Sequence, residues 1–287
     1  MKKTSLLIRV ISASFLMLCS SYSCASLENI SSNEEMITSA EKHLSYLKTH
    51  GNFPTYFPPE VVIVCYQNSI QDYVLEHYAY EHGADCFSNL YLLGDGHVGV
   101  IGGFGYGSPA LAIKVERLIA WGVKKIIAVG TAGTLVNGMS IGDVVMCSKA
   151  LGEDGVSHLY LPNGVSIAFS DQELIKQWET HFFENYPDYP KLRSVMAWSF
   201  SNPYRESKKD LARVVKQGCE VVEMEAAALN AMCSEKKVQT LSFFVISDSL
   251  SDGEWKPCFK DPIVDNNLKQ LFDQVLKFCV AQCNDTR

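Results

Sequence analysis

Beyond its N-terminus the 287-residue chain has no apolar run of membrane-spanning length, and its mean hydropathy of +0.01 argues against a polytopic membrane protein. Basic residues are in deficit, 25 against 32 acidic, for a net charge of −7. Such a chain is a poor candidate for sequence-independent nucleic-acid binding, whose affinity comes from Lys and Arg on phosphates. No HExxH or other paired metal-ligand spacing occurs, so no metal is expected. The dinucleotide fingerprint GxGxxG with its downstream acid is also missing, which disfavours a Rossmann-type dehydrogenase. Arginine is absent from the whole stretch between Arg9 and Arg117. What is present, 47% apolar and 20% charged residues, is ordinary globular composition with length for one large domain or two small ones.

Residues 1–25 read as a secretory leader. Lys2, Lys3 and Arg9 precede a mostly apolar stretch from Val10 to Leu18, and Ser23-Cys24-Ala25 offers a small-residue cleavage site. An N-terminal anchor helix or plain disorder are the alternatives, because the apolar stretch is short and diluted by serines. Cleavage after Ala25 predicts an exported protein, periplasmic or secreted. The mature chain, without three basic residues and with every acidic one kept, carries −10. Eight cysteines remain, with no CxxC. Several, such as Cys65 and Cys147, sit in apolar strand-like runs, so reduced buried thiols are expected rather than a disulfide framework.

A helical extension over 26–58 precedes one domain at 59–287. Ser32-Asn33-Glu34-Glu35 reads as a capping box, with Met36, Ile37, Ala40, Leu44 and Leu47 following at helical spacing. Strand-length apolar runs then occur at 61–65, 90–93, 98–101, 125–129, 143–147, 194–198 and 241–246. Between them Leu111, Val115, Leu118 and Ile119 mark a helix face that Gly122 closes, and 205–217 and 223–235 read as helices. The last stripe, Leu268, Leu271, Phe272, Val275, Phe278 and Cys279, is the strongest helical signal. Strands alternating with helices predict an α/β domain.

Four constellations can carry chemistry. Gly103-Phe104-Gly105-Tyr106-Gly107-Ser108-Pro109 follows a strand and opens a helix, a setting in which backbone N–H groups can meet an anion. Val129-Gly130-Thr131-Ala132-Gly133-Thr134 ends another strand, and Thr131 offers a hydroxyl to an anion or sugar. Val222-Glu223-Met224-Glu225-Ala226 sets two carboxylates where a strand hands over to a helix. Each acid is able to bind a vicinal diol or simply to favour the helix dipole. In Val245-Ile246-Ser247-Asp248-Ser249, an acid ends a nearly wholly apolar strand, a place that suits a general acid or a plain turn residue.

Taken in order, GYGSP, VGTAG, Gly142-Asp143-Val144-Val145, Asp154-Gly155-Val156-Ser157, EMEAAA and SDS resemble the nucleoside phosphorylase superfamily. That superfamily includes uridine phosphorylase, the hexameric purine nucleoside phosphorylases and methylthioadenosine nucleosidase, and the resemblance spans Val61 to Trp255. It implies a three-layer α/β/α fold with a central mixed sheet, a homo-oligomer (a dimer or a trimer of dimers) and a small nucleoside as partner. It implies cleavage of the N-glycosidic bond of purine nucleosides or uridine to free base and ribose 1-phosphate. No cofactor is implied beyond inorganic phosphate as co-substrate. By the same resemblance Gly105, Gly107 and Thr131 border the nucleophile, and Met224 and Glu225 hold the ribose. Asp248 protonates the departing base. Tyr204 lines the base, and Arg205 is the one arginine expected near the site, with a surface charge at a helix start as its alternative.

The departures are equally informative. Val64-Cys65-Tyr66-Gln67-Asn68 stands where phosphorylases of the family carry a Gly-Asp-Pro-x-x-Arg turn. Ala128 replaces a further arginine, and no residue matches the arginine usually lent by a neighbouring subunit. A dianion held without arginine loses its strongest charge-assisted bonds. A hydrolytic nucleosidase is therefore the first alternative, although its water-activating glutamate has no counterpart at 65–70. A nucleoside-binding protein without turnover is the second.

Overall fold

The computed structural model describes residues 36–83 and 85–284; the leader at 1–25 and the capping box at 32–35 lie outside them. The first described helix, α1 (Ala40–Thr49), starts later than the spacing predicts. Ser39 caps it by accepting from the Lys42 N–H, and Met36 and Ile37 stay exposed ahead of it.

A mixed sheet follows. Its first strands are β1 (Val61–Cys65), β2 (Tyr80–His82), β3 (Leu90–Leu93), β4 (Val98–Ile101), β5 (Lys125–Thr134) and β6 (Val144–Glu153). The rest are β7 (Ile167–Phe169), β8 (Arg193–Phe200), β9 (Val221–Glu223), β10 (Gln239–Ser249) and β11 (Lys256–Pro257). β1 lies parallel between β4 and β5 and is buried along its whole length, the burial pattern of a central parallel strand. β5 pairs with β1, β10 and β9, so the path β5-β10-β6-β8-β9 returns to β5 and closes on itself.

The helices between these strands are α2 (Asn68–His77), α3 (Ser108–Trp121), α4 (Gln172–Asn185), α5 (Lys208–Lys216), α6 (Ala226–Glu235) and α7 (Pro262–Asn284). Strand parity divides the core. Val62, Val64, Ile126 and Ala128 pack with α1, α3 and α6, whereas Val61, Ile63, Ile127 and Val129 pack with α2, α4 and α7. Two apolar layers on opposite faces of one sheet make the expected α/β/α arrangement. All eight cysteines of the described residues are free thiols.

Several boundaries differ from the sequence reading. β5 runs on to Thr134, so the glycine-rich VGTAGT stretch is strand rather than a turn beyond one. β6, β8 and β10 also outrun their apolar cores, because the closed part of the sheet supplies ladder partners for polar residues such as Ser199 and Asp248. The helix expected at 205–217 begins only at Lys208, capped by Ser207; Pro203–Arg205 is a 3₁₀ turn. Glu223 ends β9, and α6 begins at Ala226.

Candidate active site

The glycine-rich turn, the end of β5, the β9-to-α6 junction and the end of β10 meet at one end of the sheet. Gly133 of β5 is the meeting point. It pairs with Val222 on one side and Asp248 on the other, and a Cβ there would stand 3.0 Å from Asp248 Oδ2 and 3.2 Å from Val222 Cγ1. A side chain at this position would press on the acid and, at 2.9 Å, on Leu250 Cδ1. β10 is irregular between Ile246 and Asp248, which re-aims the strand end.

The two acids of the EMEAAA stretch separate into different environments. Glu223 Oε2 accepts the N–H groups of Glu225 and Ala226, both at 2.7 Å, and the Ser199 hydroxyl donates to Oε1. Ser199 in turn accepts the Ala227 N–H at 2.8 Å. Glu223 is thereby a cap for α6, with its lone pairs committed to the protein. Glu225 accepts from fewer groups: the Gly107 N–H at 2.5 Å from Oε1, and the backbone of Met224. Burial, and then the charge of Glu223, push Glu225 up to about 8; burial raises Glu223 to about 7 against the pull of its donors. Donors for an anion converge on Glu223, so the proton the pair retains rests on Glu225. The Met224 methyl lies 3.8 Å from where a Gly107 Cβ would be.

Asp248 is buried and accepts twice, from the Ser247 hydroxyl at 2.8 Å and from the Trp255 indole N–H at 2.9 Å. Thr131 accepts the Gln67 side-chain amide at 2.8 Å. Asp154 Oδ1 holds its own turn, accepting the N–H groups of Val156 and Ser157 at 2.7 and 2.8 Å. Gly105 lies in the turn at φ +97° with no side chain closer than Ala110.

Arginine is engaged elsewhere. Of the four in the described residues, Arg117 donates to the Cys86 carbonyl, Arg193 to Glu220, and Arg213 to Glu153 and Asp210. Arg205 sits on the exposed 3₁₀ turn beside Tyr204, which is 85% exposed. Both side chains are exposed.

The chain matches the phosphorylase superfamily over residues 60–277. The chain belongs to that superfamily. A DeoD-type purine nucleoside phosphorylase of Lactococcus lactis subsp. cremoris is 30% identical over 160 residues, covering 55% of this chain and 66% of the relative. The chain thus spans about two thirds of the length of such relatives. Among solved structures, a Toxoplasma gondii purine nucleoside phosphorylase in complex with immucillin-H aligns with TM-score 0.65 and 20% identity, covering 79% of this chain and 93% of that one. A Campylobacter jejuni 5'-methylthioadenosine/S-adenosylhomocysteine nucleosidase aligns with TM-score 0.61 and 18% identity, covering 77% and 98%. The protein is an enzyme of the nucleoside phosphorylase and nucleosidase family.

Two features of this phosphorylase-superfamily site escape the sequence reading. Glu206, next to Arg205, is half-buried, and burial and then the charge of Asp248 push it up to about 7. Trp255 comes from the loop after β10 and fixes Asp248 from outside the SDS motif. An acid following the Pro-Tyr-Arg turn and a lone tryptophan seven residues past Asp248 were visible as residue types. Nothing in their spacing aimed them at Asp248.

Proposed function

We propose that this enzyme cleaves the N-glycosidic bond of a ribonucleoside, purine nucleosides first and uridine second, with water as the nucleophile. The observation that carries the reading is the convergence on Gly133 and Gly107 of two buried acids, Asp248, fixed by two side-chain donors, and Glu225, held by backbone donors. Cleavage leaves positive charge on the sugar and negative charge on the base. Glu225 is suited to the ribose hydroxyls, because it carries fewer protein donors than Glu223 and adjoins Met224. Asp248 is suited to giving its proton to a base nitrogen, which turns a poor leaving group into a neutral one. Met224, against Gly107, is suited to packing on the sugar.

Water is favoured because the Thr131 end offers neutral groups and stands close to buried acids, with every described arginine engaged elsewhere or exposed. A phosphate dianion gains most from arginine forks and loses most beside carboxylates. Phosphorolysis remains the second reading, supported by the glycine-rich turn ahead of α3 and by the name of the Lactococcus relative. The test is to incubate the purified protein with adenosine, inosine, guanosine, methylthioadenosine and uridine, with and without phosphate, and to follow free base. Release that does not need phosphate is expected. Release only with phosphate establishes the second reading, and binding without release establishes a nucleoside-binding protein.

A further inference from the structure

Of the six residues that join β4 to α3, 102–107, four are glycine, and Gly103, Gly105 and Gly107 hold left-handed φ angles of +62°, +97° and +84°. Such a turn has little shape of its own, because glycine has the most backbone freedom to lose. Its form is imposed from outside. The rear tie is the Gly107 N–H on Glu225 Oε1 at 2.5 Å. The front tie is made at Gly102 and Gly103 by two side chains that belong to none of the motifs, Gln71 and Asn89.

Asn89 is placed by the sheet. β3 and β4 run antiparallel with Leu90 opposite Ile101, so Asn89, one residue before β3, faces Gly102, one residue past β4. Its backbone holds φ +75°, a left-handed conformation that asparagine tolerates better than most residues. The side-chain amide nitrogen then donates to the Gly103 carbonyl at 3.1 Å. Gln71 comes from the start of α2. The end of its side chain lies so near the turn that Cβ atoms on Gly102 and Gly103 would stand 3.0 and 2.7 Å from Oε1. Its amide nitrogen donates to the Tyr91 hydroxyl at 3.2 Å. Tyr91 is buried and meets the rings of Tyr80 and His82 at 5.2 and 5.4 Å, so Gln71 is braced from behind.

The two ties act on one short piece of chain. Between Gly103 and Gly107, the Phe104 ring stands edge-on to Tyr66 at 6.4 Å, while Tyr106 is 76% exposed. With the front released, the left-handed glycines are free to redistribute their φ angles, and the Gly107 N–H has no fixed position. Glu225 then loses a partner set in place before the substrate arrives, and a functional group is only as well placed as the residues that support it.

We propose that Gln71 and Asn89 are positioning residues for ribose recognition, clamping the front of the glycine-rich turn so that Gly107 presents its N–H to Glu225; this rests on the reading of Glu225 as the acid that takes the ribose hydroxyls. Both act through the turn rather than on the sugar.

The test uses Asn89→Asp, which keeps the shape but cannot donate, and Gln71→Met, which keeps the length without the amide. Hydrogen exchange of the 102–107 amides and steady-state cleavage of paired ribo- and 2'-deoxyribonucleosides are measured in the parent and in each variant. Exchange in the turn is expected to quicken about tenfold. KM for the ribonucleoside is expected to rise about three- to tenfold, with KM for the 2'-deoxyribonucleoside changed less than about twofold. Asn89→Gly, which keeps the backbone conformation without the amide, is expected to match Asn89→Asp. Unchanged exchange, equal KM changes for both sugars, or a lower melting temperature with both KM values unchanged overturns the clamp while the role of Glu225 stands. A parent enzyme with no preference for ribose overturns the reading of Glu225, and the clamp's part in recognition with it.

Discussion

The Gly107 N–H donates to Glu225 Oε1 at 2.5 Å, tying the turn before α3 to the start of α6 across 118 residues of sequence. Gly107 can do this because it holds φ +84° and ψ 160°, a region of backbone space open almost only to glycine. Gly107→Ala is expected to cost about 1–3 kcal/mol of stability through that strain. It is also expected to raise KM for ribonucleosides more than for 2'-deoxyribonucleosides, since strain in the turn shifts the N–H that Glu225 accepts. Equal KM changes for both sugars would separate Glu225 from ribose recognition.

Glu225 also sets a pH dependence of stability. Its carboxyl rises from an ordinary 4.5 unfolded to about 8 folded, so the native state holds a proton that the unfolded chain has released between those values. Stability is therefore full below pH 4.5 and declines as pH rises through 8. Glu225→Gln carries no such proton. Its melting temperature is expected to exceed that of the parent at pH 8.5 by several degrees, on the order of 2 kcal/mol, and to converge with it near pH 5. Parallel melting curves across that range would place the proton elsewhere.

Much of this architecture is legible in the residues because burial writes it there. β1, β3 and β4 were read to the residue, since strands buried along their whole length are short apolar runs with clear ends. The overlong strands were not, because hydrogen-bond partners in the closed part of the sheet admit Ser199, Thr134 and Asp248 into ladders that hydropathy alone would end. At the site, Gly107 bonds Glu225, Gln67 bonds Thr131 and Gly133 adjoins Asp248. The division of labour inside EMEAAA is hidden in the sequence: only the geometry shows Glu223 consumed as a helix cap and Glu225 tied to the turn at Gly107. Glu206 and Trp255 were hidden for a different reason, since each reaches Asp248 from a separate loop. Tyr204 and Arg205, drawn in by resemblance, stand on the exposed side of the turn that brings in Glu206.

Glu206 adds a second acid beside Asp248, and its ionisation falls near neutrality. Below about pH 7 it is protonated and able to donate to an acceptor on the base; above that it is ionised and can no longer donate. Base release is expected to decline as pH rises through about 7, and Glu206→Gln, which keeps a donor without the ionisation, is expected to flatten that limb. A pH profile of kcat/KM identical in the parent and the variant would remove Glu206 from base recognition.

Trp255 tests whether Asp248 works as a positioned acid or merely as a buried one. The indole N–H at 2.9 Å and the Ser247 hydroxyl at 2.8 Å take different oxygens of the carboxylate, and together they fix its plane. Trp255→Phe keeps most of the aromatic bulk and removes only the donor, a loss worth about 1–1.5 kcal/mol or roughly tenfold in kcat if orientation matters. Asp248→Asn removes the proton itself, and a purine nucleoside is then expected to turn over about a hundred- to ten-thousandfold more slowly with little change in binding. The two changes act through one carboxylate, so the double variant is expected to be no slower than Asp248→Asn alone. Additive losses would mean that Trp255 touches the substrate on its own account, and an unchanged rate in Asp248→Asn would move the acid to Glu206.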